Sequence, residues 1–123
     1  MFEERVSSGK HIVCDIKGIQ NVDLLNSSKD LKEMLCNICE KYNFQILEKI
    51  HYDFVPEGCS ILFLLSESHI SIHTFPEKRH MSFDLYTCRD YENNKEYEEI
   101  YDYLINILNA STESNYKIID RYF

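Results

Sequence analysis

Residues 68–75, Ser-His-Ile-Ser-Ile-His-Thr-Phe, constrain the fold more than any other stretch of the chain. Ile70 and Ile72 alternate with His69, Ser71, His73 and Phe75, and a period of two predicts a strand with unlike faces. The apolar run Ile61 to Leu65 just before it predicts a buried strand. A later stretch repeats the alternation, with Met81, Phe83 and Leu85 against Ser82, Asp84, Tyr86 and Cys88. Imidazoles, hydroxyls and a carboxyl on one sheet face are too polar for a plain core, so that face meets water, a partner subunit or a substrate. Pairing the two strands predicts His73 and Cys88 over one surface, which becomes the candidate active site.

The remaining elements follow from caps and periodicity. Gly9 to Ile16 predicts a first strand, and residues 18–26 a loop. Ser27 or Ser28 caps a helix over Lys29–Lys41, whose apolar stripe is Leu31, Met34, Leu35 and Ile38. Phe44 to Phe54 predicts a strand carrying Ile46 and Ile50 inward, and Pro56-Glu57-Gly58 a turn. Asn93 or Asn94 caps a second helix reaching Leu108, with Tyr97, Ile100, Tyr101 and Leu104 on its apolar side. Tyr116 to Tyr122 completes the order β-α-β-β-β-β-α-β. That order predicts an α+β fold: a mainly antiparallel sheet with two helices on one face, a two-layer sandwich. A length of 123 residues predicts one domain, 1–123.

Composition excludes several function classes. A net charge of −8, with Lys78-Arg79-His80 the longest basic cluster, predicts no nucleic-acid partner. The acidic start Met1-Phe2-Glu3-Glu4-Arg5 is not that of a signal peptide, and no apolar run is long enough for a membrane span. Five cysteines, an odd number, predict reduced thiols and a cytoplasmic setting. Cys36-x-x-Cys39 lacks a second pair, so buried helix cysteines explain it better than zinc. His69 and His73 stand about 13 Å apart in an extended strand and cannot share one ion, so no metal is expected. Ser68 beside His69 lacks the G-x-S-x-G elbow of a triad hydrolase. Cys88 at a strand end fits a proton donor or nucleophile near a histidine.

The stretch Ser66-Glu67-Ser68-His69 through His73-Thr74-Phe75-Pro76-Glu77, with Asp84-Leu85-Tyr86-Thr87-Cys88, resembles the signature of short prokaryotic S-adenosylmethionine decarboxylase proenzymes. Gly9-Lys10-His11 and Phe54-x-Pro56-x-Gly58-x-Ser60 match as well. The resemblance implies cleavage between Glu67 and Ser68, into a β chain of residues 1–67 and an α chain of 68–123. Ser68 would become a covalent pyruvoyl group, which condenses with the substrate amine and accepts the electrons released on decarboxylation. It further implies that Ser60 assists processing, that His73 takes the α-proton, and that Cys88 reprotonates the substrate carbon. Phe54 and Phe75 would hold the adenine and sulfonium of S-adenosylmethionine, and Glu77 the ribose. The product would feed polyamine (spermidine) synthesis, and the short forms act as homodimers.

Three positions depart from the family pattern: Phe75 where Trp is frequent, Ile61 where Gly is usual, and the charged turn at 78–80. They keep two alternatives in view, a pyruvoyl-dependent ornithine or arginine decarboxylase and a non-catalytic regulatory homologue.

Overall fold

The computed structural model describes residues 9–89 and 93–122. Two expectations, the acidic N-terminal stretch and the middle of the polar 89–94 segment, lie outside the described residues. Six strands form one sheet: β1 (Gly9–Ile16), β2 (Ile46–Asp53), β3 (Cys59–Leu65), β4 (Ser68–Phe75), β5 (His80–Thr87) and β6 (Asn115–Arg121). Their spatial order is β2-β3-β4-β5-β1-β6, every neighbouring pair antiparallel. Helices α1 (Val22–Leu25), α2 (Ser28–Lys41) and α3 (Lys95–Leu108) complete the α+β architecture. No described helix is long and apolar enough to cross a membrane.

Cap and stripe agree at α2, whereas α3 starts after Asn94, whose side chain accepts from Lys10 and makes no cap bond, and rests on its stripe. Ser27 Oγ accepts from the Asp30 amide at 3.2 Å, and Leu31, Met34, Leu35 and Ile38 are buried along one side of α2. Asn93 Oδ1 accepts from the Lys95 amide at 2.9 Å, and α3 buries Tyr97, Ile100, Leu104 and Leu108. Their partners are the inward residues of the sheet, among them Ile12, Ile61, Phe63, Ile70, Ile72, Phe83 and Leu85. Among the described residues no helix covers the other sheet face.

Three expectations are corrected. Residues 18–26 contain α1, a single turn that Asn21 caps through the Leu24 amide at 3.3 Å and that Leu25 pins into the core. Ile50 faces outward and is 65% exposed, because the register shifts between Ile46 and Glu48. One extra residue in a strand flips every later side chain to the opposite face. Ile50 therefore pairs with Leu62 on the open face, while Ile46 keeps to the inner one. The run Ile61 to Leu65 is buried on one side only, with Leu62 and Leu64 about half exposed. Together with Tyr52, these residues make the open face more apolar than β4 and β5 alone suggest.

The core reaches the end of β5 through one polar contact. Thr87 Oγ1 and Tyr97 Oη lie 2.5 Å apart, both fully buried. Tyr97→Phe takes that partner from the Thr87 hydroxyl, and a buried polar group that loses its partner costs about 1–3 kcal/mol. The urea midpoint should fall accordingly with an unchanged slope. An unmoved midpoint would show that the contact contributes nothing.

Candidate active site

Glu67 and Ser68 meet at a tight turn, where Leu65 pairs directly with Ser68 across two residues. Glu67 has φ +60°, a left-handed conformation that costs an L-residue about 1–2 kcal/mol. Ser66 N–H donates to Gln45 O at 3.1 Å, fastening the turn to the entry of β2. The antiparallel register of β4 with β5 runs to His69 and Tyr86, so Cys88, the next residue but one, arrives beside the turn. It holds both reacting groups of a serine-on-carbonyl attack. Its backbone N–H donates to Ser68 Oγ at 3.3 Å, and its thiol donates to the Glu67 carbonyl at 2.8 Å. Ser68 itself is buried, on the core side of β4. An open cleft of about 300 Å³ lies over this turn.

Arg89, which the sequence did not single out, forms the side of that cleft. Its guanidinium donates to the Tyr42 and Asn43 carbonyls, just past α2, and lies 4.4 Å from the centre of the Phe44 ring. A cation is favourable at the negative end of a helix. No local pattern announces this contact, since the partners are 46 and 47 residues away.

The second group sits at the far end of β4. Ser60 and His73 are cross-strand partners, with Oγ 2.7 Å from Nδ1. Phe54, Phe75 and Glu77 join them around an open cleft of about 330 Å³. Gly58 has φ +94°, and its N–H donates to Asn26 Oδ1 at 3.2 Å while its carbonyl accepts from Phe54 at 2.8 Å. That turn delivers Phe54 to the cleft. The expectation that His73 and Cys88 stand over one surface is corrected here. They share a face but not a place on it, because His73 pairs with Ser82 and Cys88 lies six residues further, roughly 20 Å along the strand.

Between the two clefts, His11, Asp84, His69 and Tyr86 occupy neighbouring strands of the open face. His11 Nε2 lies 2.5 Å from Asp84 Oδ1, and His69 Nε2 lies 3.6 Å from Oδ2. The three ligating atoms fall within 4.8 Å of one another, close enough to hold a metal ion. Arg121 Nη1 is 3.3 Å from His11 Nδ1, however, and a guanidinium only donates. Nδ1 therefore accepts, Nε2 carries the proton given to Asp84, and His11 has no lone pair for an ion. Arg121, His11 and Asp84 form a hydrogen-bonded row, and His69 stands beside its carboxylate end.

Burial decides the state of the other thiols. It pushes Cys14 and Cys39 up to about 12 and raises Cys59 as well, so all three stay protonated. On α2 Cys39 is buried and Cys36 half-buried, and neither is in a disulfide.

The S-adenosylmethionine decarboxylase family profile matches residues 10–122. An S-adenosylmethionine decarboxylase proenzyme from Hydrogenobaculum sp. (strain Y04AAS1) is 37% identical over 113 residues, 92% of this chain and 81% of that one. The proenzyme of the same name from Picrophilus torridus is 32% identical over 95% of this chain and 86% of its own. The crystal structure of the adenosylmethionine decarboxylase from Aquifex aeolicus VF5 superposes with a TM-score of 0.81. It is 29% identical and covers 96% of this chain and 93% of that chain.

Proposed function

The chain belongs to the S-adenosylmethionine decarboxylase family, and on that premise we propose that it cuts itself between Glu67 and Ser68 and then decarboxylates S-adenosylmethionine. The observation that carries this reading is the double hold of Cys88 on the Ser68 hydroxyl and the Glu67 carbonyl. Ser68 Oγ attacks the Glu67 carbonyl carbon, the peptide C–N bond breaks, and the hydroxyl proton passes to the freed nitrogen. The Cys88 thiol donates to the carbonyl oxygen as it gains charge. Strain at Glu67 raises the energy of the precursor and so lowers the cost of an uphill amide-to-ester step. Loss of the Ser68 α-proton then expels Glu67 as a carboxylate. The dehydroalanine left at residue 68 tautomerises to an imine, and water hydrolyses that imine to a ketone with release of ammonia.

Ser68 suits this fate, since its hydroxyl is buried, hydrogen-bonded and beside a carbonyl already accepting from a thiol. The pyruvoyl ketone supplies an electrophile for the substrate amine and a sink for the electrons of the departing carboxylate. Cys88 delivers a proton to the substrate carbon. Phe54 and Phe75 stack on the adenine and face the sulfonium, and Glu77 accepts from the ribose hydroxyls. The decarboxylated product then serves as aminopropyl donor for polyamine synthesis.

His73 lies too far from Ser68 to take its α-proton within one chain. A homodimer resolves this. Stacking two open faces about a two-fold axis sets the Ser60–His73 cleft of one subunit against the Ser68–Cys88 turn of the other. It also covers Ile50, Tyr52, Leu62 and Leu64, an apolar patch that a lone subunit exposes. Each pocket then takes Ser68 and Cys88 from one subunit, and Ser60, His73, Phe54, Phe75 and Glu77 from its partner.

The substrate is tested by release of labelled carbon dioxide from carboxyl-labelled S-adenosylmethionine, ornithine and arginine in parallel. Release from S-adenosylmethionine alone is expected. Release from ornithine or arginine instead would move the substrate to the basic amino acids, and release from none would favour the non-catalytic homologue.

A further inference from the structure

A thiol has one proton, and in Cys88 it points at the Glu67 carbonyl 2.8 Å away. A second polar atom touches the same sulfur: Tyr86 Oη, at 3.5 Å. With the thiol proton committed, the phenol is the group left to donate, placing its hydrogen on a sulfur lone pair. The Tyr86 ring is held for this on three sides. Its centre is 5.7 Å from that of His69 on β4 and 5.8 Å from that of His11 on β1, and the Arg121 guanidinium of β6 lies over it at 5.3 Å. The Asp84 carboxylate binds the His11 imidazole and lies 3.6 Å from that of His69. The rings and charges of the open face thus pack around the one tyrosine whose hydroxyl touches the Cys88 sulfur.

We propose that Tyr86 is a positioning residue for Cys88: its hydroxyl donates to the sulfur, aiming the thiol proton before cleavage and holding the thiolate during turnover. The inference rests on the reading of Cys88 as proton donor. In turnover the S–H bond breaks as the new C–H bond of the substrate forms, leaving a thiolate that later regains a proton from water. After cleavage the Glu67 carbonyl has become a free carboxylate, an anion that cannot stabilise a second anion. Among the described residues Tyr86 is then the neutral donor in contact with the sulfur. Arg121 is the cation that acts on the Tyr86 phenol, while Glu67 and Asp84 are the anions near the pair and His11 and His69 flank it. The phenol is shifted upward from its ordinary value, chiefly by its hydrogen bond with Cys88, then by burial. That direction agrees with a proton kept on oxygen and shared with sulfur.

Tyr86→Phe removes one oxygen and keeps the ring with its three neighbours, so the fold is not at stake. The first measurement is independent of activity and of processing. In an uncleaved Ser68→Ala background, the rate of Cys88 alkylation by iodoacetamide at neutral pH is followed on its peptide by mass spectrometry. Losing the hydroxyl that donates to the sulfur should slow it about three- to tenfold. The second measurement is turnover of processed Tyr86→Phe beside Cys88→Ala. We expect kcat to fall roughly tenfold for Tyr86→Phe, with KM little changed. An unchanged alkylation rate with Cys88→Ala inactive would overturn the role of Tyr86 alone. Near-normal turnover in Cys88→Ala would overturn the proton-donor reading, and the role of Tyr86 with it.

Discussion

Ser68→Ala leaves every chain whole and abolishes decarboxylation. The substitution removes the hydroxyl placed to attack the Glu67 carbonyl, and with it the ester oxygen whose elimination would open the way to the ketone. Stability should hardly change, because among the described residues the hydroxyl accepts one hydrogen bond, from the Cys88 amide at 3.3 Å, and the Cβ stays in place. Losing such a bond costs about 1 kcal/mol. The loss of function is therefore total while the urea midpoint stays within reach of the parent. Denaturing electrophoresis after long incubation checks the first half, and carbon dioxide release checks the second. Cleavage at the same bond in Ser68→Ala would mean that another group, or water, attacks it.

The second large effect comes from mixing two inactive variants. Ser68→Ala has no nucleophile, and His73→Ala stalls after or during ester formation, so neither homodimer yields processed chains. Co-expressed with separable tags, they also form mixed dimers. One pocket of each mixed dimer then combines Ser68 from the His73→Ala chain with His73 from the Ser68→Ala chain, and is intact. That pocket should cleave the His73→Ala chain only, and decarboxylation should return from zero to about half the parent rate per mixed dimer, one pocket of two being intact. No recovery, with mixed dimers demonstrably present, would place His73 and Ser68 in the same subunit. A protein that light scattering finds monomeric and fully active would remove the shared pocket altogether.

The depth to which the sequence discloses this molecule depends on how far each signal reaches. β4 was legible because its two faces differ so sharply, with Ile70 and Ile72 fully buried and His73 exposed. Ile50 was not, because a one-residue register shift near Ile46 is set by pairing with β3 and leaves no mark on β2 itself. The turn of α1 is too short for periodicity, and only Asn21 as a cap and Leu25 as an anchor reveal it. At the site, alternation told which face His73 and Cys88 share. It could not tell how far apart they stand, because that distance follows from the β4–β5 hairpin, in which residues near the connection pair with one another. Cys88 consequently meets Ser68, and His73 meets Ser60. His11 and Arg121 come from β1 and β6, 73 residues from Asp84 and 110 from His11 respectively, beyond any local pattern.

Self-cleavage of the bond between Glu67 and Ser68 is the step from which the rest of the proposed chemistry follows. Purified parent protein, denatured and weighed by mass spectrometry, should give two pieces, residues 1–67 with a free carboxyl terminus and residues 68–123 beginning with a pyruvoyl group and resistant to Edman degradation. A single intact chain after prolonged incubation, or a cut that leaves an ordinary serine amine on the second piece, would contradict it.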